Sequence, residues 1–159
     1  MWAIAVRGVR PQARKMIRVE DRVLLRSDAD ETFRYLADFT HLPEWDPGIV
    51  RVGRVDSGLV RVGSRFEVVA RFVGREVPMH YEVKHYEEAT RQAVLVGEAN
   101  GIRATDRITV TSREGRTEVH WQGDFEMRGA RRFLEPLMRP LFQRLANKAM
   151  SGLRKKFSS

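Results

Sequence analysis

Residues 36–48 read Leu36-Ala37-Asp38-Phe39-Thr40-His41-Leu42-Pro43-Glu44-Trp45-Asp46-Pro47-Gly48. The stretch holds a large aromatic, two turn-forming prolines and a closing glycine, but no recognisable catalytic pair. Pro43 can open a turn of helix and Pro47 ends it, so at most a short helix fits here. Upstream, Ile17–Arg26 alternates as a strand. Ser27 or Asp28 can cap the helix that follows, with Asp30 and Glu31 in its first turn and Phe33, Leu36 and Ala37 as its apolar stripe. Downstream, the hydrophobic period changes to two.

That period persists for six segments. Strands are predicted over 49–55, 65–73, about 76–85, 92–98, 102–110 and the run ending at Met127, separated by turn signals at Asp56-Ser57-Gly58, Gly74-Arg75, Asn100-Gly101 and Glu114-Gly115. Val77, Met79, Tyr81 and Val83 share one face. Ile102, Ala104, Asp106, Ile108 and Val110 share another, as do Val119, Trp121, Gly123, Phe125 and Met127, with His120, Gln122, Asp124 and Glu126 on the wet side. After Gly129 the period becomes helical: Leu134, Leu137, Met138, Leu141, Phe142, Leu145, Ala149, Gly152 and Leu153 form one broad stripe. Pro140 is expected to bend or interrupt that helix. Antiparallel strands with one apolar face need it covered, and only this last helix is long and apolar enough to do so. A curved sheet closed over one helix leaves space between them, and a cavity above roughly 300 Å³ would suit a small molecule.

The 159 residues suit one domain, expected over 16–159, preceded by a basic, flexible extension over 1–15. Met16 is an alternative start. The chain has no cysteine, which excludes disulfides, thiolate catalysis and cysteine-based zinc sites. The opening residues are too soon interrupted by Arg7 for a signal peptide, and no apolar run is long enough to span a bilayer, so a cytoplasmic protein is expected. The net charge of +8 is concentrated at the two ends. Arg7, Arg10, Arg14 and Lys15 stand at one end without an acid, and nine basic residues over 128–159 face Glu135 alone. No helix-turn-helix, zinc finger or basic zipper accompanies this charge, so a nucleic-acid partner is not expected.

This order of segments resembles the START/Bet v1-like (SRPBCC) superfamily, in particular its bacterial polyketide cyclase/dehydrase-like branch. The resemblance covers about residues 17–157. It is sharpest at 37–48 and continues through Val62-Gly63-Ser64-Arg65-Phe66, Gly101-Ile102-Arg103-Ala104-Thr105-Asp106, Gly115-Arg116-Thr117-Glu118-Val119 and Phe125-Glu126-Met127-Arg128-Gly129. No piece is specific alone; their order and spacing are. The resemblance implies an α+β helix-grip fold, in which a seven-stranded antiparallel sheet wraps a long C-terminal helix and two short helices close one end. It also implies a cavity for lipids, sterols, polyketides or other hydrophobic molecules. Some members cyclise or dehydrate polyketide chains.

Asp106 falls on an apolar strand face, where an ionised carboxylate needs a partner or a guest. Tyr81 faces inward and can orient a carbonyl or hydroxyl, or simply fill space. His85 is read as facing inward near its strand end. Asp106 with Tyr81 or His85 is therefore the candidate acid–base set. Trp45 is read as a wall at the cavity mouth or as a wedge for its loop. Met79 and Met127 suit adaptable walls, Trp121 and Phe125 are core or cavity floor, and Phe66, Met138 and Phe142 complete the candidate lining. Asp38 and Asp46 read as turn caps. No HExxH or His/Asp cluster suggests a metal, no phosphate loop is present, and no cofactor is expected.

Three functions fit these residues. The first is binding or transport of a small hydrophobic ligand, lipid or polyketide-like. The second is a cyclase or dehydratase, which needs an acid–base pair beside the guest. The third is a peripheral module that touches anionic membranes through Arg154-Lys155-Lys156 and Phe157. A monomer or homodimer is expected.

Overall fold

The computed structural model describes residues 16–158; the extension expected over 1–15 lies outside the described residues. In chain order the elements are β1 (Met16–Leu25), α1 (Ala29–Ala37), a 3-10 turn (Phe39–His41), α2 (Leu42–Trp45), β2 (Ile49–Arg54), β3 (Arg65–Phe72), β4 (Arg75–Glu87), β5 (Gln92–Ala99), β6 (Ile102–Arg113), β7 (Arg116–Met127), a second 3-10 turn (Gly129–Leu134) and α3 (Glu135–Phe157). The seven strands form one antiparallel sheet ordered β1-β7-β6-β5-β4-β3-β2. Each hairpin pairs neighbours in sequence. β1 pairs instead with β7, because the helical stretch over 29–45 carries the chain across to the far edge. This is the helix-grip architecture expected from the sequence.

Local chemistry sets the helical link. Asp28 caps α1, its carboxylate accepting the Glu31 N–H at 2.9 Å. Ser27 anchors the cap to the sheet, its carbonyl accepting the Thr117 hydroxyl at 2.6 Å. Asp38 caps the next turn by accepting from Thr40 N–H. α1 buries Phe33, Leu36 and Ala37, the stripe read from the sequence.

α3 crosses the concave face, but only part of it is covered. Its apolar contact with the sheet runs from Phe142 through Ala146, Ala149 and Met150 to Leu153. Leu134 and Leu137, which periodicity assigns to the core stripe, are exposed. At 1.5 Å rise per residue a 23-residue helix is about 35 Å long, so its first turns overhang the sheet. Pro140 neither breaks nor ends α3. It sits on the exposed side, where water can satisfy the carbonyl its missing N–H leaves free.

One position corrects the strand reading. The β4–β5 register shifts between Val83 and His85. This bulge reverses the alternation, so Tyr86 packs toward the core beside Phe33 while His85 turns out, its side chain 49% exposed and 4.0 Å from Glu87.

Gly152 brings α3 against α2: a Cβ here would overlap the Trp45 carbonyl oxygen and touch Pro47. Replacing a helical glycine with alanine ordinarily stabilises by about 1 kcal/mol. Gly152→Ala is expected to do the reverse, costing about 3 kcal/mol through backbone overlap, as read from urea unfolding midpoints.

Candidate functional site

The inner face of the sheet is organised around Asp106, which is 7% exposed. On β6 it lies opposite Leu95 of β5 and Gly123 of β7. The Trp121 indole N–H donates to its Oδ1 at 2.9 Å. The Tyr81 hydroxyl bonds to the same carboxylate from the other side and helps stabilise its charged form. Neither residue stands opposite Asp106 in the ladder: Trp121 pairs with Ile108, and Tyr81 lies two strands away opposite Gly97. Both reach it by lying flat over glycines. A Cβ on Gly123 would stand 2.8 Å from the Trp121 ring, and one on Gly97 would enter the Tyr81 ring. Gly123 interrupts no register and makes room for the Trp121 and Phe125 rings.

These rings border a cavity of about 170 Å³ between sheet, α3 and the 36–49 segment. Its walls are almost wholly apolar; Asp106 and Asp46 supply inward acidic groups, and Arg71 is exposed. The volume falls below the roughly 300 Å³ at which ordinary small-molecule sites begin. Aromatic bulk accounts for this: Phe142 stacks on Phe125 at 4.3 Å and on Phe72 at 5.4 Å, and Phe39 meets Tyr81 edge-on at 5.1 Å.

Of the residues singled out from sequence, Trp45, Met79, Tyr81 and Asp106 line the cavity, as do Trp121, Phe125 and Phe142. Trp45 also borders an open groove between α2 and α3, so it is the partition between interior and exterior. Phe66 does not line the cavity. It is buried next to Phe39 and under the Arg54 guanidinium, so Phe39 stands between it and the space. Met127 and Met138 pack in a satellite cluster with Ile17 and Val19 at the sheet end, beyond the cavity wall. His85 faces solvent and cannot join Asp106. The C-terminal basic run is tied to the protein: Phe157 meets Tyr35 edge-on, Lys156 pairs with Glu44 at 3.5 Å and Arg154 lies 3.9 Å from Asp21.

Sequence reasoning missed Asp46. It does cap its turn, accepting the Gly48 N–H at 2.8 Å, yet it also lines the cavity. The Asp46-Pro47-Gly48 turn masked that second role, and only its place beside Trp45 hinted at it. Burial pushes both carboxyls up to about 6. For Asp106, desolvation dominates, Tyr81 and Trp121 oppose it, and the Asp46 charge adds to it. For Asp46, desolvation is offset in part by the Gly48 N–H. The Tyr81 phenol is raised well above its ordinary value, first by burial and then by Asp106. Among the described residues no group of His, Asp and Glu is arranged to hold a metal.

The sequence matches, over residues 16–158, the family described as polyketide cyclase/dehydrase and lipid transport. A search of curated proteins finds no match. Solved structures share the fold. The protein TTHA0849 from Thermus thermophilus is 15% identical, with a TM-score of 0.75 over 88% of this chain and 96% of that one. The Zhui aromatase/cyclase from a Streptomyces species is 16% identical, with a TM-score of 0.74 over 91% and 94%. A START superfamily protein from Mycobacterium smegmatis is 17% identical, with a TM-score of 0.65 over 87% and 92%. At such identities the likeness is one of fold.

The raised Asp106 carboxyl fixes a sign. A folded-state pKa above the unfolded value means the folded protein holds the proton longer, so this contribution favours folding below about pH 4 and is lost as pH rises through about 6. Asp106→Asn is therefore expected to gain stability relative to wild type as pH rises from 4 to 7.5, by about 2–3 kcal/mol. Paired urea titrations at the two pH values measure that difference.

Proposed function

The chain belongs to the polyketide cyclase/dehydrase and lipid-transport family, and from that premise we propose that it binds a small hydrophobic molecule in the cavity between sheet and α3. The observation that carries this reading is an apolar, aromatic-walled space whose acidic groups are Asp106, bonded to Trp121 and Tyr81, and Asp46. Affinity comes from removing apolar ligand area from water, at about 25 cal/mol per Å² before ordering costs. Orientation comes from the carboxylate and the phenol. At about 170 Å³ the guest is compact, or the rings shift to admit a larger one. Trp45, between cavity and groove, is the side chain that moves for passage.

Native mass spectrometry of gently purified protein, followed by organic extraction, tests this directly. A co-purifying hydrophobe is expected. Ala70→Phe, which fills the cavity from β3, is expected to lower its occupancy at least tenfold (about 1.4 kcal/mol) while the fold persists by circular dichroism. Equal occupancy in wild type and Ala70→Phe would place the guest elsewhere.

A second reading, a cyclase or dehydratase, is favoured by one specific feature. Two carboxyls held at about 6 face one cavity, in the range suited to proton transfer near neutral pH. Asp106, bonded to Tyr81, would take a proton from carbon beside a carbonyl, and Asp46 would return one to oxygen. With a poly-β-ketone thioester, Asp106→Asn is expected to lower turnover at least about 100-fold while leaving binding nearly unchanged. No turnover by wild type would leave the binding reading alone.

A further inference from the structure

The second 3-10 turn and the overhanging start of α3 carry exposed apolar surface that the cavity does not use. Phe133 and Leu137 are each 74% exposed, and Leu134 lies between them. Within α3 the exposed Pro136 and Pro140, four apart and so on one face, flank Leu137 and extend the apolar surface. Around it stand the exposed Arg128, Arg131, Arg132 and Arg139. Arg132 lies over the Phe133 ring at 5.0 Å, and Arg131 donates to the Asn100 carbonyl at 2.7 Å. Of the acids at this end, Glu135 is buried and lies 3.5 Å from Arg139, Glu98 lies 3.7 Å from Arg103, and Glu126 is half-buried.

The antiparallel order brings two hairpin tips and the start of β1 to this end. The β5–β6 turn sits at Asn100-Gly101, and Met16 pairs with Glu126. The β3–β4 turn adds Val73, 72% exposed with φ +50°. A β-branched residue is strained in that conformation, where asparagine or glycine fits without penalty. An exposed valine there runs against both solvation and backbone preference. Its neighbour Phe72 stacks on Phe142 of α3 and lines the cavity. The cavity wall reaches this same end through Val77, Ala99 and Ile102.

We propose that this end of the molecule, formed by Val73, Phe133, Leu134 and Leu137 within a collar of arginines, docks on an anionic lipid bilayer. Apolar side chains in a predominantly basic collar match the interface of such a bilayer, where acyl surface lies beneath negative headgroups. A protein partner would need acids distributed around an apolar centre; a bilayer supplies both without further design. The surface differs from the C-terminal run Arg154–Phe157, which is engaged within the fold. The inference goes beyond ligand binding and stands whether or not the guest is a lipid.

Co-sedimentation with phosphatidylcholine vesicles, with and without about one-third phosphatidylglycerol, tests it. The full chain is expected to bind the anionic vesicles and to leave the neutral ones in solution. Binding is expected to weaken but persist at about 0.5 M salt, where charge attraction is screened and apolar insertion is not. Phe133→Glu and Leu137→Glu should each reduce binding about tenfold, with Tm nearly unchanged because neither side chain is buried. Val73→Asn separates the effects: Tm should stay or rise, since asparagine accepts the turn, while vesicle binding falls. Four results overturn the proposal. They are no binding to anionic vesicles, complete loss at high salt, binding indifferent to all three substitutions, or a wild-type dimer that Leu137→Glu dissociates, which would make a second copy the occupant.

Discussion

A concave sheet closed by one continuous helix encloses a volume that side chains must fill or leave open, and most of this protein follows from how that volume is divided. Small residues, Ala146, Ala149 and Gly152, bring α3 close to the sheet and to α2. Aromatic rings take up much of what remains. They lie flat because Gly97 and Gly123 offer no side chains beneath them, and so two rings from β4 and β7 reach one carboxylate on β6. The cavity is what these rings leave. Its small size and the polar cluster at Asp106 have the same origin.

Two aspartates on adjacent strands show how surroundings decide a carboxylate's chemistry. Asp124 lies on the outer face of β7, where Arg18 of β1 accompanies it at 2.6 Å and Arg107 of β6 also donates. Burial works to raise this carboxyl, but the two arginines outweigh it and hold it below its ordinary value. It ties three strands together by charge. Asp106, on the inner face, receives only the neutral donors of Trp121 and Tyr81, so burial prevails and the carboxyl rises. The first arrangement suits structure. The second keeps a group near neutrality with a cavity in front of it, the condition under which a carboxyl can orient a guest or exchange a proton.

The two ends of α3 also divide labour. Its C-terminal half is buried against the sheet, and its terminal residues are fastened to α1, α2 and β1 by Phe157, Lys156 and Arg154. Its N-terminal turns extend past the sheet with their apolar side chains outward. The same amphipathic pattern thus serves core packing at one end and surface display at the other, and no local propensity distinguishes the two.

Period-two alternation from Ile49 to Met127, followed by a helical stripe, was sufficient for the architecture, because burial on one face of a pleated strand leaves that signature. It also placed Asp106, Tyr81, Trp121 and Phe125 on the inner face. It failed at His85, where a one-residue bulge reverses the faces without a mark in the residue types, and at Leu134 and Leu137, where periodicity gives a direction but not whether a partner lies there. Phe66, Met127 and Met138 point inward or pack apolar surface, yet sit behind or beyond the cavity wall. Asp46 looks like any turn-capping aspartate until the turn is set beside the interior. Where a strand runs without a bulge, the sequence alone determines which face a side chain takes, because that depends on near neighbours in the chain. Which inward groups meet was decided only by strand register, by two glycines and by how far α3 runs past the sheet, because convergence depends on distances between residues the chain holds far apart.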